Sequence, residues 1–138
     1  MASFVISSSL LNIADVESAL TDDTCGGVVI FVGNVRDKSH DRNVVALEFE
    51  AYEPMALKEL EAIAREIMEK WNVAHIALHH RVGRVEVGGT AVIAGVSAKH
   101  RTEAFESCAY LMSRLKESVP IWKKEIFQDG EEWVSPHP

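Results

Sequence analysis

Five basic side chains in this sequence have the types and spacing to do chemistry. His100 and Arg101 stand together in S-A-K-H-R-T-E-A-F, between an apolar run and a helical pattern, where unpaired backbone N–H groups attract anions. A phosphate there gains the fork-shaped donor of Arg101 and an ion pair or proton from His100. The other reading makes His100 merely exposed and pairs Arg101 with Glu103 or another surface acid. Lys116 lies further along the same helix. At about 100° per residue, Ala104, Phe105, Cys108, Ala109, Leu111, Met112, Leu115 and Val119 fall within one arc of roughly 160°, and Lys116 falls inside it, roughly 20° from Phe105. An ammonium in a buried stripe must snorkel, pair or reach a cavity, and one held out of water becomes a proton shuttle or nucleophile at neutral pH. Lys123 follows seven residues later, beyond Pro120, and is paired here with Lys116 as a candidate. Arg36 sits three residues after Gly33, in a polar loop with Lys38, His40 and Arg42, where a mobile charged loop is the alternative reading.

Other chemistries find less support. Cys25 and Cys108 lack C-x-x-C or Cys/His ligand spacing. Cys108 falls among apolar helix positions as a small core residue, and no basic group flanks Cys25 to activate its thiol. His75, His79 and His80 alternate along a strand pattern without acidic or thiol ligands, so structural or surface roles are expected and no metal is assigned. G-x-G-x-x-G, P-loop and G-x-S-x-G patterns do not occur.

The elements that must position these groups follow from periodicity. Phe4 to Ile6 reads as an opening strand, and Ile13, Val16 and Leu20 mark a short helix. Val28 to Val32, bounded by glycines, reads as a central strand covered on both faces. Val45, Leu47 and Phe49 alternate with polar neighbours, and the loop between these two strands suits an antiparallel pair. Pro54 fits the first turn of a helix that continues through Leu60, Ile63, Ile67 and Trp71. Strands are expected over 75–82, 85–87 and 90–98, the last two separated by a Gly88-Gly89 turn. The main helix stops near Pro120, and D-G-E-E-W-V supplies a final turn and strand. The order β-α-β-β-α-β-β-β-α-β is that of an α+β protein with helices packed on a mainly antiparallel sheet.

Composition bounds the function. The 138 residues fit a single domain spanning 1–138, and 47% hydrophobic with 25% charged residues is ordinary for a folded soluble protein. A formal charge of −7 argues against a general binder of nucleic acid or anionic membrane, so any anion site is local. The longest unbroken apolar run, Val28 to Val32, is too short to span a bilayer, and the N-terminus shows no basic segment ahead of an apolar run. A reduced, cytoplasmic protein is expected.

The segments G-G-V-V-I-F-V-G-N-V-R-D, L-E-F-E-A-Y-E-P-M, H-R-V-G-R-V-E-V-G, S-A-K-H-R-T-E-A-F and L-K-E-S-V-P-I-W-K-K-E, closing with G-E-E-W-V, resemble the large, catalytic subunit of molybdopterin synthase, in that family's order from Gly26 to Val134. The resemblance implies an α/β hammerhead fold and a homodimer carrying a small ubiquitin-like, thiocarboxylated sulfur-carrier subunit at each end, together a heterotetramer. It implies no cofactor, and two transfers of sulfur to cyclic pyranopterin monophosphate (precursor Z) to form the dithiolene of molybdopterin. It also implies roles: Arg36, His100 and Arg101 in the substrate pocket, Lys116 beside the incoming thiocarboxylate as the catalytic group, and Lys123 assisting in catalysis and substrate binding. The chain departs from the family pattern at Ala51-Tyr52, where relatives have H-Y. It departs again at S-P-H-P, where some relatives place an arginine that reaches the neighbouring subunit and this chain offers His137. The competing reading is a non-catalytic dimeric module that holds a phosphorylated metabolite with the same cations.

Overall fold

The computed structural model describes residues 1–134; His137 lies outside them. The order is β1 (Ala2–Ser7), α1 (Ile13–Leu20), β2 (Gly27–Asn34), β3 (Lys38–Ser39), β4 (Arg42–Ala51), α2 (Glu53–Lys70), β5 (Val73–Arg81), β6 (Gly83–Glu86), β7 (Thr90–Ala98), α3 (Arg101–Ser118), β8 (Ile121–Phe127) and β9 (Gly130–Val134). A four-stranded sheet runs β1-β5-β7-β2, and a second sheet runs β3-β4-β8-β9 with β6 also paired to β4. Among the described residues only β1 with β5 is a parallel ladder, so the α+β, mainly antiparallel expectation holds.

Local sequence explains the helices. Asn12 caps α1 by accepting from the Ala14 amide at 2.9 Å, and Pro54 occupies the first turn of α2, where its missing N–H costs nothing. The apolar positions of α2 (Ala56, Leu60, Ile63, Ile67) are fully buried. With Cys108, Leu111 and Leu115 of α3 they fill the main core against Ile76, Leu78, Ala94 and Val96 of the sheet. The opposite face of that sheet is covered by α1 through Val16 and Leu20. A separate small core, including Val35, Phe49, Val85 and Phe127, lies under the second sheet, and Ile121 packs against both cores. Burial pushes the Cys108 thiol up to about 11, an inert core sulfur.

The structure corrects the strand pairing. β2 is covered by Val29 toward α2 and α3 and by Ile30 toward α1, yet it is an edge strand, and Val28, Phe31 and Val32 remain substantially exposed. An apolar run reports covered faces and is silent about the lateral neighbour, which is why it read as central. β2 pairs with β7 and not with β4. The Gly88-Gly89 turn, with Gly88 at φ +83°, does not make a hairpin: β6 pairs with β4, whereas β7 joins the first sheet. Two strands went unread. β3 forms a tight hairpin with β4 through His40 and Asp41, both at positive φ, so the basic loop is an ordered turn. β8 begins directly after Pro120, and its I-W-K-K-E-I-F pattern interrupts the apolar alternation with Lys123 and Glu125.

Candidate active site

Candidate groups stand at both ends of α3. At its start, His100 is the extended N-cap residue (φ −125°, ψ 152°) and makes no side-chain capping bond. The first-turn amides therefore face a shallow, polar depression lined by Gly26, Lys99, His100, Arg101 and Thr102. Gly26 donates its amide to the Lys99 carbonyl at 3.2 Å, and a Cβ on Gly27 would lie 3.3 Å from the Arg101 backbone. A Cβ on Gly26 would lie 2.9 Å from the Lys99 carbonyl oxygen, so glycine there lets β2 approach the helix start this closely. The preceding loop is tied by Asp22, which accepts from the Thr24 amide (2.8 Å) and hydroxyl (2.6 Å) and pairs with His75 Nε2 (2.8 Å). These bonds, those to Thr24 first, hold the Asp22 carboxyl down at about 2.

At the far end, Lys116 occupies the last turn of α3 and Lys123 lies on β8, opposite Phe49 of β4. Lys123 is half-buried on the strand face that carries Ile121, buried Glu125 and Phe127. Phe49 in turn meets the His80 ring edge-on, with centroids 5.0 Å apart. Its neighbour Lys124 points the other way, with Nζ 3.8 Å from the Glu131 carboxylate and 4.9 Å from the Trp133 ring. Strand alternation thus separates the two lysines, leaving Lys123 on the inner face. Arg36 follows Val35, whose side chain is buried in the same small core and whose backbone bonds to Gly88 and Gly89. Arg36 is exposed beside it.

The expected burial of Lys116 is not found. The stripe of α3 that faces the sheet runs through Ala104, Ser107, Cys108, Leu111 and Leu115, its centre displaced about 100° from Phe105. Phe105 is 62% exposed and Lys116 is exposed with it. Ser107 misled the sequence reading. Its hydroxyl donates to the Glu103 carbonyl at 2.6 Å, so a polar residue is fully buried and takes a place that hydrophobicity assigned to Phe105.

Arg101 does not pair with Glu103, and among the described residues the side chains of Arg36, His100, Arg101, Lys116 and Lys123 form neither hydrogen bonds nor ion pairs. Three other arginines are engaged. Arg42 binds Asp129 and Glu132, both at 2.9 Å, and stacks 3.6 Å over Phe127; Arg84 binds Glu86 at 2.7 Å; Arg114 binds Glu66 at 3.1 Å, which raises its pKa. Arg101 and Lys116 are separated by about 22 Å along the helix axis. Sequence reading missed Glu125, a buried carboxylate two residues beyond Lys123 on the same strand face; the period of two in β8 is the signal that locates it. His79 and His80 are buried, their pKa values lowered by desolvation. His79 Nε2 lies 3.2 Å from Ser3 Oγ and His80 Nδ1 2.8 Å from the Arg81 carbonyl, both as packed strand residues. No helix among the described residues is long and apolar enough to cross a membrane.

The MoaE protein family model matches residues 6–118. The molybdopterin synthase catalytic subunit of Pyrococcus abyssi is 42% identical over 123 residues, covering 89% of this chain and 83% of its own. The crystal structure of molybdopterin synthase from Staphylococcus aureus superposes with a TM-score of 0.92 at 38% identity, covering 98% of both chains. A chain from the complex of subunits 1 and 2 of the molybdopterin-converting factor of Helicobacter pylori shares the fold, with a TM-score of 0.76 at 22% identity and coverage of 99% and 93%. The fold and the relatives are those of an enzyme subunit for sulfur transfer in molybdenum cofactor biosynthesis. The chain belongs to the MoaE family, whose curated relatives are molybdopterin synthase catalytic subunits.

Proposed function

We propose that this chain takes sulfur from the thiocarboxylated C-terminus of a small ubiquitin-like partner and places it on cyclic pyranopterin monophosphate, twice per molecule, to form the dithiolene of molybdopterin. The setting is the cytoplasm and no cofactor is required. The observation that carries this reading is the set of five cations without an acid partner among the described residues, on a chain of net charge −7 in which Arg42, Arg84 and Arg114 are each paired with carboxylates. Exposed cations with no acid partner remain available to an anionic ligand.

His100 and Arg101, with the amides at the start of α3, hold the substrate phosphate. Lys116 is the catalytic group, and Lys123 and Arg36 bind and orient substrate beside it. The thiocarboxylate sulfur forms a C–S bond to the pterin side chain as the displaced oxygen leaves with a proton from Lys116. Water then adds to the thioacyl carbon. The resulting tetrahedral anion is stabilised by the Lys116 ammonium and collapses to the partner's carboxylate, leaving sulfur on the substrate. Because the two ends of α3 are about 22 Å apart, one complete site draws its phosphate-binding end from one copy of the chain and its lysines from another, within a homodimer that binds two partners.

Mixing the chain with thiocarboxylated partner and cyclic pyranopterin monophosphate tests this directly. Dithiolene formation dependent on both is expected. Tight binding of the phosphorylated substrate with no sulfur incorporated would instead establish the non-catalytic binding module.

A further inference from the structure

We propose that His80 is a positioning residue for sulfur transfer: its imidazole, hydrogen-bonded to the Arg81 carbonyl and set edge-on against Phe49, holds the second sheet at the attitude to the first that keeps Lys123 within working distance of Lys116. The inference rests on the reading that these two lysines serve one reaction, and it names the group that fixes their relative place.

The two lysines ride on different layers. Lys116 belongs to α3, whose buried stripe packs with α2 on the four-stranded sheet, whereas Lys123 belongs to β8 of the second sheet. Each sheet has its own core, so a small rotation of one layer on the other moves the lysines apart without opening either core. Group transfer is sensitive to such a shift: a misplacement of about 1 Å can cost roughly 100-fold in rate.

Ile121, two residues before Lys123 on the same strand face, packs against both cores and is one link between the layers. His80 is a second. Along β5, Ile76 and Leu78 enter the main core. His80, next on that face, meets Phe49 of β4 in the second sheet, with ring centroids 5.0 Å apart and ring planes at 74°. Phe49 stands in register between Gly83 of β6 and Lys123 of β8. Gly83 offers it no side chain, so the ring is braced from the first sheet by His80. On its other flank stands Lys123, the Cβ atoms of such a cross-strand pair being about 5 Å apart.

A purely apolar side chain would fill the same space; the imidazole adds direction. The Arg81 carbonyl only accepts, so Nδ1 carries the hydrogen, and this 2.8 Å bond fixes both the tautomer and the ring plane. Arg81 ends β5 and Gly83 opens β6, so the same bond fastens the backbone where it crosses from the first sheet to the second. His80 is 6% exposed, and its burial favours the neutral ring. It acts on the reaction through Phe49 and Lys123, without touching substrate.

The test is a double-mutant cycle on the full chain with thiocarboxylated partner and cyclic pyranopterin monophosphate, read as single-turnover dithiolene formation at saturating substrate. His80→Phe keeps a ring and loses the hydrogen bond; Phe49→Leu keeps an apolar side chain and loses the ring that His80 abuts. Each is expected to slow the reaction about tenfold with KM within about twofold of wild type, at a temperature where circular dichroism shows the variant folded. In a Lys123→Ala background the same substitutions should cost less than about twofold, because the group they position is gone. A structural role alone would leave the loss equal in both backgrounds. Equal losses with and without Lys123, or wild-type rates in both His80→Phe and Phe49→Leu, would overturn the proposal and leave Lys123 in the reaction. A Lys123→Ala chain as fast as wild type would overturn the proposal together with the reading on which it rests.

Discussion

The two ends of α3 carry cations under opposite local fields. At the N-terminal end, the positive end of the helix dipole adds to His100 and Arg101, and the free amides of the first turn supply neutral donors, so an anion is held by charge and backbone together. At the C-terminal end the dipole is negative. Lys116 is stabilised there by the last carbonyls, while an anion near it is repelled by the same field and depends on side-chain cations. The first end suits a permanent anion such as a phosphate monoester. The second suits charge that develops and disappears during a reaction, because side-chain ammonium groups can both donate a proton and follow the charge. The surroundings agree: the N-terminal end is a shallow polar depression braced by Asp22 and Gly27, whereas Lys123 emerges beside Phe49 over an apolar core.

Removing the C-terminal ammonium should do the greater damage. Lys116→Ala is expected to fold, bind the partner and lose at least about 100-fold in sulfur transfer, measured as single-turnover dithiolene formation; near-wild-type turnover would abolish the distinction between the ends. Next is recombination of the two ends. Arg101→Ala and Lys116→Ala chains, each poorly active at low substrate, should recover about a quarter of wild-type activity when refolded together, since half the dimers are mixed and each of those has one intact site. Recovery to no more than the average of the two parents would place both ends in one chain's site. Arg101→Ala alone is expected to raise KM about tenfold with kcat changed only a few-fold, the signature of lost ground-state phosphate binding; an equal fall in kcat at saturating substrate would assign Arg101 to the chemistry.

The smallest effect concerns the brace. Asp22 is held at about 2 in the folded chain against an ordinary value of 3.8. A depressed carboxyl stabilises the fold above its unfolded pKa, and that contribution is lost as pH falls from about 4 through 2. Acid unfolding of Asp22→Asn should therefore show a flatter pH dependence in that window and converge with wild type at lower pH. A small rise in KM at neutral pH is expected with kcat unchanged. Parallel acid limbs would mean that Asp22 does not brace the phosphate end.

Much of this was legible in one dimension. The helices were readable because α1, α2 and α3 carry apolar residues at helical spacing, and Pro54 and Pro120 mark the start of α2 and the region just beyond α3. The five cations were readable because side-chain chemistry is local, and His100-Arg101 fell at a helix start as expected. The pairing of strands was not. β8 was missed because Lys123 and Glu125 occupy inward positions, and β2 was taken for a central strand because its apolar run reports two covered faces but not its missing lateral neighbour. The rotation of α3 was misjudged because hydrophobicity cannot anticipate a serine that satisfies its own hydroxyl on the preceding turn.

The sequence by itself determined the helices, the α+β class, the family and the identity of the basic groups, because periodicity, capping and side-chain type act over a few residues. Only the tertiary structure decided that Lys116 faces outward, that β2 ends its sheet, and that His100 and Arg101 stand a helix length from Lys116. Those properties depend on which surfaces meet across long separations in the chain, and packing free energy, not local preference, chooses among them.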